Sequence, residues 1–115
     1  MNEINSLQEL IVNFRDERNW KQFHNPKDLA ISLMLEAGEL LEHFQWKNEK
    51  ETALHIKEHK GLVANELADV FYWLLLISSD LDIDLRQALL SKMEQNEQKY
   101  PVALATGNHK KYSEL

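Results

Sequence analysis

Leu62-Val63-Ala64-Asn65-Glu66-Leu67-Ala68-Asp69-Val70-Phe71-Tyr72-Trp73-Leu74-Leu75-Leu76-Ile77 is apolar nearly all round at helical spacing, with Asn65, Glu66 and Asp69 as the exceptions. Its second half, Val70 to Ile77, taken alone reads equally as a buried strand, because valine, isoleucine and aromatic residues favour sheets. No turn signal separates it from Leu62–Asp69, and a single strand would have no partner elsewhere in the chain. The stretch therefore predicts one helix, buried on most sides. Working outward, glycine and proline occur only at Pro26, Gly38, Gly61, Pro101 and Gly107, which leaves 1–25, 39–60 and 62–100 free of either breaker. This is the punctuation of helices.

Leu7, Leu10, Ile11 and Phe14 repeat at i, i+3, i+4, i+7 and predict a first helix over Glu3–Asn19. Asn25-Pro26-Lys27-Asp28 supplies an N-cap, a proline at the first helical position and an acid in the first turn, so a second helix runs to about Gln45. Trp46 to Glu51 is polar, and Thr52–Lys60 reads as a short exposed connector helix. After the buried helix, Ser78-Ser79-Asp80 and Asp82-Ile83-Asp84 give a break and a fresh cap. A fourth helix follows over Leu85–Lys99, with Pro101 at its end and an irregular tail over 100–115. The expected fold is an all-α, four-helix bundle-like single domain over 1–115.

Composition agrees. At 115 residues the chain suits one core; 43% hydrophobic and 28% charged residues with a mean hydropathy of −0.50 are the balance of a globular chain. The longest unbroken apolar run, Val70–Ile77, is far shorter than the ~18–20 residues of a spanning helix, so no membrane segment is expected. Met1-Asn2-Glu3-Ile4-Asn5 has neither the basic nor the apolar part of a signal peptide, and there is no cysteine, so a cytoplasmic location is expected. Absence of cysteine also removes disulfides, thiolate metal sites and cysteine nucleophiles. A net charge of −6 is not the footprint of a duplex nucleic-acid binder. A domain this small with one helix apolar on every face has more hydrophobic surface than it can cover, and homo-oligomerisation is the expected remedy.

The sharpest chemical feature is two acid pairs at i, i+3 spacing, Glu36 with Glu39 and Glu66 with Asp69, each on one helical face and each in an apolar setting. Buried carboxylates cost several kcal/mol each unless neutralised. No lysine or arginine lies between Asp28 and Trp46 or between Gly61 and Leu85. A hard divalent cation is the best counter-charge, and an all-oxygen donor set points to Mg²⁺, with Mn²⁺ next, and away from zinc. The plain alternative is a solvated acidic face, since 19 acids in this chain produce such pairs by chance. Gly38, costly inside a helix, suggests a close approach to the backbone there.

Other features are weaker. His55-Ile56-Lys57-Glu58-His59 matches the H-x-x-E-H of one class of zinc peptidases, but in a short polar segment with no cleft it is not read as one. A di-iron bundle needs Glu-x-x-His, which is absent. His24 and His43 read as ordinary polar residues. Trp20 and Trp46 fall at helix ends, where an indole stacks on a flat base, and Trp73 lies one turn beyond Asp69. Lys47, Lys92, Lys99, Lys110 and Lys111 are candidate phosphate contacts.

Phe14-Arg15-Asp16-Glu17-Arg18-Asn19-Trp20-Lys21-Gln22-Phe23-His24, Leu35-Glu36-Ala37-Gly38-Glu39-Leu40, Phe44-Gln45-Trp46-Lys47, Glu66-Leu67-Ala68-Asp69-Val70 and Ser91-Lys92-Met93 with Asn96 and Lys99-Tyr100-Pro101 together resemble the MazG-like all-α nucleotide pyrophosphohydrolases. The branch they resemble most is that of the small dCTP pyrophosphatases, including the terminal Lys111-Tyr112-Ser113-Glu114-Leu115. The wider family's E-E-x-x-E begins here with Leu35, which leaves Glu36 and Glu39. The resemblance implies metal ligands at Glu36, Glu39, Glu66 and Asp69, base contacts at Trp20, His24, Trp46 and Trp73, and phosphate or sugar contacts at Lys92, Asn96 and Tyr100. It implies a dimer or a dimer of dimers, the latter a homotetramer, and a house-cleaning role. The expected reaction is Mg²⁺-dependent hydrolysis of a nucleoside triphosphate between the α and β phosphates, with Glu36 or Glu39 taking the proton from water. The rival class is a non-catalytic helical oligomerisation or adaptor module.

Overall fold

The structure, a computed structural model, describes residues 2–115. Among them there is no strand: the order is α1 (Glu3–Glu17), a 3₁₀ turn (Lys21–Phe23), α2 (Pro26–Glu42), α3 (Glu49–Asp80), α4 (Leu85–Lys99), α5 (Val102–Ala105) and a 3₁₀ turn (Tyr112–Glu114). The all-α expectation is met. The chain forms two compact units, a first running to Asp82 and a second over Ile83–Leu115.

Each long helix starts on an asparagine or aspartate cap. Asn2 accepts from the Asn5 amide at 2.9 Å, Asn25 from Asp28 at 2.9 Å with Pro26 in the first turn, and Asp84 from Gln87 at 3.0 Å. At α3, Asn48 accepts from the Glu51 amide while Glu51 accepts from the Asn48 amide, a reciprocal box. That box overturns the connector expectation: Thr52–Lys60 is not a separate short helix but the first third of a 32-residue α3. A kink remains at His59 (φ −126°, ψ 30°), two residues before Gly61. The first two helices stop earlier than expected, at Glu17 and Glu42, because Asn19 and Trp46 turn the backbone into the left-handed region (φ 53° and 66°).

In the first unit α1 and α2 both pack on α3. The fully enclosed side chains are Leu29, Leu75, Leu76, Ser78 and, unexpectedly, Arg15, 1% exposed. The buried stripe of α1 is rotated from the expected one: Leu10 and Phe14 are exposed, while Gln8 donates to Ser78 Oγ (2.9 Å) and Arg15 is clasped by Asp80. The close approach expected at Gly38 is also corrected, since a Cβ there would meet nothing within 4 Å.

The membrane expectation needs correction too. Among the described residues α3 is long and apolar enough to cross a bilayer by length and composition, with an 18-residue window of mean hydropathy 1.4. Counting one unbroken run missed it, because a helix averages over Asn65, Glu66 and Asp69.

In the second unit, Tyr112 folds back on the end of α4: its ring lies edge-on to Tyr100 (centroids 6.2 Å apart) and under the Lys99 ammonium at 4.8 Å. Short helical turns therefore punctuate the tail.

Candidate functional site

The two acid pairs meet because α2 packs on α3. Glu36, Glu39 and Glu66 each bring one carboxylate oxygen within 4.8 Å of the others. Asp69 stands one turn along α3 from Glu66 and lines an aromatic cleft together with Glu36. Among the described residues every ion pair lies elsewhere. Glu36 Oε2 and Glu66 Oε2 are enclosed and have no hydrogen-bond partner.

Such an arrangement resists full ionisation. Burial, then the hydrogen bond and charge of Glu39, then Asp69 push the Glu36 carboxyl above the ordinary range, and burial and Glu39 act on Glu66 in the same direction. Orphaned, crowded carboxylate oxygens with no cation in reach are what a divalent metal satisfies, so the residues fit such an ion. The donor set is all oxygen.

The cluster separates two clefts of the first unit. One, of about 360 Å³, is lined by Phe14, Trp20, His24, Glu36, Asp69, Tyr72 and Trp73. Its walls are built from edge-to-face contacts: Phe14 with Trp20 at 5.7 Å, His24 with Trp73 at 5.6 Å, Tyr72 with Trp73 at 5.0 Å. The Arg18 guanidinium covers the outer face of Phe14 at 3.8 Å. His24 Nδ1 is enclosed without a partner, and burial, then the Arg15 charge, holds this imidazole below its ordinary pKa, so it is neutral at pH 7. A flat, apolar slot with one unspent ring nitrogen beside a carboxylate cluster suits an aromatic base carrying phosphates.

The other cleft, about 420 Å³, is lined by Glu39, Glu42, His43, His55 and Glu66. Burial, then the Lys47 charge, lowers the pKa of His55.

Of the residues expected from sequence, Glu36, Glu39 and Glu66 form the cluster, and Trp20, His24, Asp69 and Trp73 line the aromatic cleft. Trp46 does not join them: it is 91% exposed on a left-handed backbone. Lys92 and Asn96 lie on α4 and Tyr100 caps it, all in the second unit. Phe14 and Tyr72 belong to the cleft and were not singled out. Their signal was position, since Phe14 precedes Trp20 by six residues across one tight turn, and Tyr72 lies one turn beyond Asp69.

Comparison with known proteins bears on this arrangement. Residues 31–115 match the MazG-like family. The chain is 38% identical over 114 residues to dCTP pyrophosphatase 1 of Mus musculus and 37% identical to that of Homo sapiens, covering 97% of this chain and 67% of each. A crystal structure of a pyrophosphatase from Archaeoglobus fulgidus superposes with a TM-score of 0.83 at 39% identity, over 88% of this chain and 94% of that one. A helical frame that sets acid pairs from adjacent helices against an aromatic slot, with likeness in sequence along nearly its whole length, places the chain in the MazG-like family.

Proposed function

We propose that the chain hydrolyses deoxynucleoside triphosphates of the dCTP type between the α and β phosphates, releasing monophosphate and pyrophosphate, with Mg²⁺ (or Mn²⁺) at Glu36, Glu39, Glu66 and Asp69. Its family and relatives make it a nucleoside triphosphate pyrophosphohydrolase; the bond, the metal and the base are the further steps. The observation that carries them is the carboxylate cluster set against the aromatic slot.

A divalent cation bound there supplies neutralisation of phosphate charge and a lowered pKa for the attacking water. The chain's own residues do the rest. Trp20 and Trp73 flank the base, and the neutral His24 Nδ1 hydrogen-bonds its edge. Glu36 and Glu66, whose carboxyls are pushed above the ordinary range by burial and by Glu39, would hold the cation together with Asp69. Glu39, with one carboxylate oxygen within 4.8 Å of an oxygen of each, is placed to accept the proton of the attacking water. Trp46, exposed in this chain, serves a site completed by a second copy. The role that follows is cleansing of the cytoplasmic nucleotide pool.

The test is incubation with dCTP, with and without Mg²⁺, and identification of products by mass. dCMP and pyrophosphate are expected only with metal, and Glu39→Gln should lower turnover by about 10² or more with the fold retained, as read by circular dichroism. Formation of dCDP and phosphate would overturn the bond, and no turnover across a deoxynucleotide panel would favour the adaptor. Equal rates with dCTP, dATP and dUTP in competition would remove the base assignment alone.

A further inference from the structure

The aromatic slot has two sides of unequal firmness. Tyr72 and Trp73 belong to α3, while Phe14 and Trp20 come from α1 and the turn after it and are themselves exposed, so burial in the core does not fix them. What fixes them is a chain of bonds through Arg15. The Trp20 amide donates to the Arg15 carbonyl at 3.2 Å and the Asn19 amide to the Asp16 carbonyl at 3.0 Å, with Asn19 in the left-handed region (φ 53°). This is the Schellman closure of a helix, and the edge-to-face packing of Phe14 on Trp20 is the apolar contact that accompanies it. The residue that receives the Trp20 amide also carries the guanidinium that Asp80 of α3 holds by two bonds, at 2.7 and 2.8 Å. A two-bond fork fixes orientation where a single bond leaves rotation free. His24 feels the same pair: burial, then the Arg15 charge, favours its neutral imidazole, and Asp80 acts the other way.

We propose that Arg15, held by Asp80, is a positioning residue for substrate, a role that rests on the slot being the base site: it locks the α1 wall of the slot to α3 and so sets Trp20 and Phe14 at the distance from Trp73 that a base must enter. The carboxylate cluster is built from α2 and α3 alone, so the lock acts on base binding and leaves the metal to other residues.

Arg15→Met with Asp80→Leu in one chain removes the fork while filling its space with apolar side chains, which keeps the fold, as read by circular dichroism. In dCTP hydrolysis with Mg²⁺ this double variant should raise KM about tenfold or more with kcat within about twofold, the pattern of lost binding shared by ground and transition states. Asn19→Val, which strains the left-handed turn without touching the ion pair, should raise KM in the same way. Mn²⁺ binding, followed by electron paramagnetic resonance, should match that of the unaltered chain. Gln8→Ala, which loosens the same two helices about two turns away at Ser78, should leave KM unchanged. With 5-fluorotryptophan in the chain, the Trp20 ¹⁹F line, assigned through Trp20→Phe, should shift or broaden in the double variant and stay in place in Gln8→Ala. That line needs no turnover, so if the unaltered chain leaves dCTP intact the hydrolytic reading fails while the ¹⁹F spectra still decide the lock. An unchanged KM, an unmoved Trp20 line, an equal rise of KM in Gln8→Ala, or loss of Mn²⁺ binding in the double variant would overturn the proposal.

Discussion

Arg15 and Asp80 tie the two ends of the first unit's core. Arg15 Nη1 donates to Asp80 Oδ2 at 2.7 Å and Nη2 to Oδ1 at 2.8 Å, from a side chain 1% exposed. Paired burial of this kind is costly to break from one side. Asp80→Asn should destabilise the chain by about 3 kcal/mol or more, while Arg15→Met with Asp80→Leu should cost less than the single change, read by urea denaturation. The same pair opposes the carboxylate cluster in its response to pH. The Asp80 carboxyl is held low, first by its hydrogen bond to Arg15, so its contribution is present above the ordinary carboxylate range and lost as pH falls through its depressed pKa. The Glu36 and Glu66 carboxyls are held high by burial and by Glu39, so the folded chain binds those protons more tightly than the unfolded one. Without metal the melting temperature should therefore rise as pH is lowered from neutrality into mild acid, then fall on stronger acidification. Mg²⁺ should raise it at neutral pH and progressively less in acid. A metal-free profile that falls steadily from pH 7 downward would contradict the crowding of Glu36 and Glu66.

At the scale of the element, α3 is the part whose composition was legible and whose extent was not. The run from Leu62 to Ile77 announces the helix, and its Glu66 and Asp69 announce the acid pair, but burial on most sides is not met within one chain: only Leu75 and Leu76 of the run are enclosed, while Leu62, Leu67, Phe71 and Leu74 are exposed. The start at Glu49 is hidden because Thr52–Lys60 is polar and Gly61 reads as a stop, while the Asn48–Glu51 box that starts the helix lies in the equally polar stretch Trp46–Glu51. Burial on α1 was misread for a similar reason. Hydrophobic spacing selects Leu10 and Phe14, yet the inward stripe holds Gln8 and Arg15, whose partners Ser78 and Asp80 lie some seventy residues away, beyond what periodicity reports. The four carboxylates were legible because their spacing and apolar neighbours are local. The meeting of His43 with His55 was not, because it needs the contact between α2 and α3. Gly38 offers a direct check on helix energetics: with open space at its Cβ and helical backbone around it, Gly38→Ala should stabilise the chain by about 1 kcal/mol, seen as a raised melting temperature. A lowered value would mean that another copy of the chain packs against that face.

For the whole molecule, the unfinished business is apolar surface. Met34 is 73% exposed, Leu35 64% and Leu67 51%, and a shallow, almost wholly apolar depression is lined by Lys27, Ala30, Ile31, Met34 and Leu35. A lipid face is a poor answer, since Glu66 and Asp69 would enter the bilayer with α3 at several kcal/mol each, roughly. A second copy of the chain covers such a surface without that cost. Sedimentation at micromolar concentration should show a dimer or tetramer, and Met34→Glu should shift it toward monomer; a monomer in the unaltered protein would exclude the assembly proposed above. Trp46 gives that event a colour. Its indole, 91% exposed and fixed outward by a backbone conformation that bulky residues seldom adopt, sits in bulk water and emits accordingly at long wavelength. Trp73, half-buried in the aromatic slot, emits from drier surroundings. The chain thus carries its own optical gauge, in which the red component reports whatever settles over Trp46 and the blue component whatever enters the slot.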